Sequence, residues 1–443
     1  MKVSNSWACL GYILASSLLF MSCRQEEPMQ EAKPQPKKLP DLNIVFEDYE
    51  QLENQGKYDL LARKIYEANT DLQSSELFVE AASLYLQAGI KDSAVYLLHR
   101  AIDRGMANPG ILGKFPGLSG MEGMEYSRLE SRLDSLGQIL YNIDNFSVET
   151  RAMDSFWPYF EKALAQKDSA HTYLKAFIFE GPPEIGDYYA IRYYNTENMY
   201  GQMINGAPKY YTYLRSRMNP DSLSALRGKT TAALKNFKSL YPAAVFPKVF
   251  IVPGLLNSGG TASEMGLFVG GDMYGRSPEM PVHELNDWQN ETISDLNALP
   301  QLILHELMHY QQNYSDSLHE TTVMYKVIGE GVCDFLRELA SGVAVASEQL
   351  DYLKIPENFR MVTLQLKQDL LSEDLSLWLY NGGSIEDRPA DLGYAMGYLI
   401  TKSYYQNAVD KKTALFNLLN TKDMTSILRA SDFHYLLDDD PEL

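Results

Sequence analysis

One short run constrains this chain more than any other. Between Leu299 and His309, Leu302, Ile303, Leu304, Leu307 and Met308 make a helix apolar nearly all round, and such a helix belongs in a core. Pro300 suits the first turn and Asn297 the cap. Into this apolar surface the chain sets His305, Glu306 and His309. Histidines four apart share one helix face. Polar groups buried without partners are costly, and a metal ion is a partner that satisfies both imidazoles at once. In H-E-x-x-H the two imidazoles hold Zn²⁺, and the glutamate between them takes a proton from a water. The plain alternative is a polar patch on an ordinary helix. With 7 histidines in 443 residues, a chance match to this spacing is rare.

A catalytic zinc takes three protein ligands and keeps a fourth position open. The metzincin extension needs Gly and His three and six residues past the second histidine. Gln312 and Ser315 stand there, which excludes it, and His319 has no such spacing. Glu330 is the better third ligand. Val332, Phe335, Leu336 and Leu339 form a helical apolar stripe around it. Glu330 and Asp334, four apart, project from one face. The competing reading of Glu330 is a charge favoured at a helix N-terminus.

Glu330 and Asp334 resemble the gluzincin arrangement, in which a second helix gives a glutamate ligand and an aspartate one turn later orients a ligating histidine. The runs His305-Glu306-Leu307-Met308-His309-Tyr310-Gln311-Gln312 and Gly329-Glu330-Gly331-Val332-Cys333-Asp334-Phe335-Leu336 are similar to a bacterial family of predicted zinc-dependent proteases, long catalogued as a domain of unknown function. Ser258-Gly259-Gly260-Thr261-Ala262-Ser263, Gly266-Leu267-Phe268-Val269-Gly270, Arg388-Pro389-Ala390-Asp391-Leu392-Gly393-Tyr394 and Gly397-Tyr398 fit the same pattern. The resemblance spans residues 145–435. A weaker one is to gliding-motility lipoproteins. The protease resemblance implies a zincin-like metallopeptidase with Zn²⁺ as cofactor, His305, His309 and Glu330 as ligands, Asp334 behind a ligand, and a peptide or protein as substrate. Glu306 is then the general base and later the acid towards the leaving amine. The oxyanion needs a donor. Arg388, Tyr394 and Tyr398 are candidates, with Tyr394 preferred. Nothing in the sequence suggests catalysis by Cys333.

The N-terminus points to a compartment. Residues 8–21 are largely apolar, and Phe20-Met21-Ser22-Cys23 is a loose lipobox, so residues 1–22 read as a lipoprotein signal and Cys23 as the lipidated residue. The alternative is an uncleaved anchor. Of the three cysteines, Cys9 leaves with the signal and Cys333 stands alone, so no disulfide forms in the mature chain. Residues 23–41 are rich in Pro, Lys, Gln and Glu and read as a flexible tether. This places the protein in a bacterial cell envelope, held to a membrane by lipid; the acidic Gln25-Glu26-Glu27 resembles a surface-export signal on an outer membrane. A formal net charge of −19 excludes nucleic acid as the main partner.

The expected fold is mainly α with a small β-sheet. Residues 42–140 read as a helical module. Leu84–Ala94 into Tyr96–Ile102 resembles the helix-turn-helix of tetratricopeptide repeats, with a degenerate neighbour at Tyr58–Ala68. This module is a spacer or a groove for a protein partner. The domain with the metal motif spans residues 145–443. Strands are expected at Val245–Val252 and Leu267–Val269, the latter either an edge strand lining the cleft or a core strand. The Gly-rich Ser258–Thr261 lacks the Gly-Lys-Ser/Thr of a phosphate loop and reads as a turn beside the cleft. The main alternatives to an enzyme are a non-catalytic zincin-fold lipoprotein that binds or assembles envelope components, and a purely structural metal site.

Overall fold

The structure is a computed structural model. It describes residues 37–438, apart from 316–318, 382–384 and 386. The signal segment, Cys23 and most of the tether lie outside the described residues. Helices dominate, and a four-stranded sheet sits among them, so the chain is mainly α with some β.

The N-terminal helices include α1 (Tyr58–Leu72), α2 (Ser75–Gln87), α3 (Lys91–Asp103) and α4 (Met124–Tyr141). Helix α1 packs on α2 and α2 on α3. Leu61, Ala62, Ile65 and Leu72 form the buried stripe of α1. Ser74 caps α2 through the Leu77 amide, and Gly89 turns the chain into α3 at φ +77°, a conformation that costs glycine little.

These helices are tied firmly to the rest of the chain. Asp187 accepts from Ser74 Oγ (2.8 Å), Ser75 Oγ (2.9 Å) and the Glu76 amide (3.0 Å). A carboxylate there meets the free amides and positive dipole end of α2. Asn108 donates to Glu264 Oε2 at 2.8 Å, and Lys114 pairs with the other oxygen of the same carboxylate. From Lys38 onward the chain forms one compact unit.

The sheet consists of β1 (Val148–Glu149), β2 (Val249–Val252), β3 (Gly260–Ala262) and β4 (Leu267–Gly270), in the order β1-β2-β4-β3. β1 and β4 run parallel to β2, and β3 runs antiparallel to β4. Strand β2 is shorter than the expected Val245–Val252. Pro247 has no amide to give, and Gln311 takes both backbone groups of Val245 with its side chain (3.0 and 2.7 Å). Strand β4 is wholly buried and interior. Leu267–Val269 is therefore the core strand, and the edge role expected as one option for it falls to β3. The Gly-rich run is thus partly strand: Gly259 precedes β3, and Gly260 and Thr261 belong to it.

One face of the sheet carries a tyrosine-rich layer. It includes α5 (Arg151–Ala165), α6 (Ala170–Glu180), a π-helical segment at Tyr189–Tyr193 and α7 (Pro208–Arg217). Tyr193 and Tyr211 donate to the carbonyls of Pro253 and Gly254, and Tyr188 packs on Phe268 at 5.4 Å between ring centroids. Helix α8 (Pro220–Leu240) leads into the sheet and packs against two later helices, α9 (Leu299–His309) and α10 (Val323–Ser341). Then come α11 (Pro356–Asp369) and α12 (Leu392–Asn407). Among the described residues, no helix is long and apolar enough to cross a membrane.

Helix α9 starts later than its expected cap. Ala298 is the cap residue and makes no side-chain bond. Asn297 instead lies in a short 3₁₀ turn whose start is capped by Asp295. Pro300 occupies the first turn, as expected. Helix α10 is bounded at both ends: Thr322 accepts the Tyr325 amide, and Gly342 closes it in the left-handed region at φ +70°. Its Val323, Met324, Val327, Ile328, Val332, Phe335 and Leu336 are buried, each worth about 1.5–3 kcal/mol against exposure for the larger side chains. Glu330 therefore stands in the middle of a helix, away from the N-terminal dipole position.

Candidate metal centre

Helices α9 and α10 face each other, and their polar residues meet. His305, His309 and Glu330 each aim one ligand atom at a common point, all within 4.8 Å of one another. His305 Nε2 lies 3.2 Å from Glu330 Oε2, His309 Nε2 lies 3.3 Å from the same oxygen, and the two Nε2 atoms are 3.3 Å apart. Ligands about 2.0–2.1 Å from a zinc at tetrahedral angles are themselves about 3.3 Å apart. The donor set thus has the spacing of three corners of a zinc tetrahedron.

Hydrogen bonds behind the rings fix which nitrogen points inward. His305 Nδ1 donates to Asp334 Oδ1 at 2.9 Å. An ionised carboxylate only accepts, so Nδ1 carries a proton and Nε2 is the nitrogen turned inward, where a metal would take the place of its proton. Asp334 is held in turn by Arg337 Nε (2.8 Å), whose Nη1 reaches Gln301 (3.3 Å). His309 Nδ1 donates to Gln312 Oε1 at 3.0 Å. The Gln312 amide is oriented by its own donation to the Gly329 carbonyl (2.7 Å) and Cys333 Sγ (3.2 Å). By sequence Gln312 is only a departure from the metzincin pattern. A glutamine three residues past a histidine carries no recognisable signal until the fold shows what it touches.

The charges around the rings favour a cation between them. Burial lowers the His305 pKa, but the Asp334 and Glu330 carboxylates outweigh it and push it up to about 10. Burial raises the Glu330 carboxyl, and the two imidazoles more than reverse that, holding it far below the usual range. Cys333 is buried, and burial pushes its thiol up, so it is no thiolate ligand.

Glu306 is half-buried, on the side of α9 that meets strand β3. A Cβ added to Gly260 would meet Glu306 Oε1 at 3.0 Å, so the strand passes the carboxylate as closely as a glycine permits. The shallow cavity beside the ligands, about 330 Å³, is lined by His309, Gln312, Tyr314, Tyr325, Glu330 and Tyr380, among others.

Of the expected oxyanion donors, only Tyr394 lies at the centre. Its ring is 6.1 Å from that of His305, and burial pushes its phenol up. Tyr398, four residues on, points elsewhere: it donates to Glu338 and meets Lys402 Nζ at 2.6 Å. Arg388 is spent on structure, bonded to Gln365 (2.9 Å) and the Leu377 carbonyl (2.7 Å) with its guanidinium over Trp378. Tyr380 is a member of the site that sequence reasoning missed. Its hydroxyl donates to Glu330 Oε1 at 2.8 Å, and its ring stands edge-on to Tyr394 at 6.4 Å. Its backbone is left-handed, at φ +60°, which is uncommon for a bulky residue. Asn381 and Asp391 exchange two backbone-to-side-chain bonds next to it, 2.9 and 2.7 Å. Nothing marks this residue among 30 tyrosines.

Comparison with known families agrees with this geometry. Residues 287–425 match the family model described as Predicted Zn-dependent protease (DUF2268). The matched segment holds α9, α10 and α12, and so every candidate ligand together with Tyr380 and Tyr394. No curated protein and no solved structure matches the chain.

Asp334 offers a test of the arrangement behind the ligands. Asp334→Asn is expected to lower zinc affinity about 10–100-fold while the fold survives, because the His305 ring loses its orienting charge. Zinc titration of folded variant and parent measures this. Equal affinities would mean that Asp334 serves Arg337 alone.

Proposed function

We propose that this protein is a zinc-dependent metallopeptidase, with His305, His309 and Glu330 as zinc ligands and Glu306 as the proton-transferring residue. The single observation that carries the reading is the near-tetrahedral spacing of the three ligand atoms, with both imidazoles turned to present Nε2. Bound there, Zn²⁺ lowers the pKa of a water towards about 7. The Glu306 carboxylate takes the proton of the attacking water and passes it to the leaving amine nitrogen. The β3 edge beside Glu306 gives an extended peptide a strand to pair with. Tyr394 carries a neutral phenol, pushed up by burial first and by the Glu330 charge next, and a neutral phenol can donate to a developing oxyanion; the Tyr380 proton is already given to Glu330.

In the cell we place the protein in a bacterial envelope, anchored to a membrane through lipid on Cys23, with a peptide or protein as substrate. The N-terminal helices are then free to present a surface to a protein partner.

The test is an unbiased peptide-library digest, read by mass spectrometry, comparing the zinc-loaded protein with Glu306→Gln. Cleavage by the parent is expected, with a fall of about 10²–10⁴ in the variant at unchanged zinc content. Cleavage undiminished in Glu306→Gln, or none by the loaded parent, would reject the peptidase reading.

A further inference from the structure

The two faces of edge strand β3 carry different chemistry. Gly260 faces Glu306. Its neighbour Thr261 faces the other way, since successive strand residues alternate. The cross-strand partner of Thr261 is Phe268, which packs on Tyr188. One turn of the π-helical segment beyond Tyr188, Arg192 reaches the same face. Its Nε donates to Thr261 Oγ1 at 2.9 Å and its Nη2 to Ser258 Oγ at 3.0 Å. Ser258 Oγ in turn donates to the Gly260 carbonyl at 2.8 Å.

The guanidinium is therefore fixed at the strand by two neutral hydroxyls. Among the described residues, no carboxylate pairs with it. Arg192 is only partly exposed, so a carboxylate arriving there meets a cation already oriented and partly desolvated, which strengthens the pair. It also sits in π-helical backbone, a rare form that is frequent at functional sites.

We propose that Arg192 is a specificity-determining residue that recognises a carboxylate of the peptide bound along β3. An extended peptide on that edge turns alternate side chains to the two faces. One set lies towards Glu306 and the other towards Thr261 and Arg192. The substrate class is accordingly a peptide with a carboxylate close to the scissile bond, carried by an Asp or Glu side chain or by the C-terminus. This rests on the peptidase reading for its cleft, and a binding experiment separates the two.

Labelled peptides are bound to zinc-loaded Glu306→Gln protein, which does not need to turn over. The set varies one residue at a time as Glu, Gln or Lys, and ends in a free acid or an amide. One position is expected to favour Glu over Gln by about ten- to a hundredfold, as a charge-assisted hydrogen bond supplies. Adding Arg192→Gln should remove that preference and leave Gln peptides unchanged. Adding Arg192→Glu should reverse it in favour of Lys, a result that misfolding cannot produce. If the preference follows the free acid end instead of a side chain, the C-terminal carboxylate is the group read. No preference for a carboxylate at any position, or one that survives Arg192→Gln, overturns the proposal. Should the parent protein cut no peptide while the preference holds, hydrolysis fails and the recognition stands. Should it cut peptides with no such preference, the reverse is true.

Discussion

Alanine at Gly397 or Gly331 is expected to leave little folded protein. Helices α10 and α12 cross where these two glycines meet. A Cβ on Gly397 would fall 1.8 Å from the Val327 carbonyl oxygen, and one on Gly331 would fall 1.9 Å from the Gly397 carbonyl carbon. Both obstacles are backbone, so no side chain can swing aside and the helices must part. Overpacking a tight core costs about 1–3 kcal/mol where side chains can adjust, and here they cannot. Against a total stability of about 5–15 kcal/mol, either substitution removes a large share. Gly329→Ala is the control, from the same Gly-Glu-Gly run: its Cβ would meet only Tyr314 Cε2, at 4.0 Å. Thermal unfolding should show a large fall for Gly331→Ala and Gly397→Ala and almost none for Gly329→Ala. Parental melting in all three would mean that the helices do not approach this closely.

The same crossing bears on the chemistry. Glu330 precedes Gly331 in α10, and Tyr394 lies one turn before Gly397 in α12. Close approach of the two backbones sets the Glu330 carboxylate and the Tyr380–Tyr394 pair beside one another. A looser crossing displaces the third ligand from the two histidines, and ligand geometry decides zinc affinity.

What the sequence revealed was what periodicity and motif spacing encode. An apolar helix with three polar residues announced α9. The i, i+4 pair of Glu330 and Asp334 announced the face of α10 that meets it, and the structure brings His305, His309, Glu330 and Asp334 together. Strand existence was legible at β2 and β4 because β-branched and aromatic runs are local signals. Their positions in the sheet were not, because edge and interior differ only in non-local pairing. Hence Leu267–Val269 is interior, and Gly260–Ala262, with too few apolar residues to read as a strand, is an edge. Supporting contacts were the least legible. Gln312 and Tyr380 reach the site through a turn and a left-handed backbone, and neither leaves a pattern in the chain. Tyr398 and Arg388 stood beside the preferred Tyr394 as candidates, yet each has nearer partners in Glu338 and Gln365.

The claim on which the rest depends is that His305, His309 and Glu330 hold a metal. His305→Ala and His309→Ala are expected to have the largest effect of any change at the site. Each leaves two protein ligands, which bind zinc weakly. Each also strands charge: without His305, the Glu330 and Asp334 carboxylates lose the partner that draws both downward. Glu306→Gln, by contrast, removes no ligand. The direct measurement is zinc per chain in purified, folded protein by elemental analysis, confirmed by native mass spectrometry. One zinc per chain is expected in the parent and in Glu306→Gln, and almost none in either histidine variant. A parent that binds no zinc, or histidine variants that keep it in full, would contradict the metal centre.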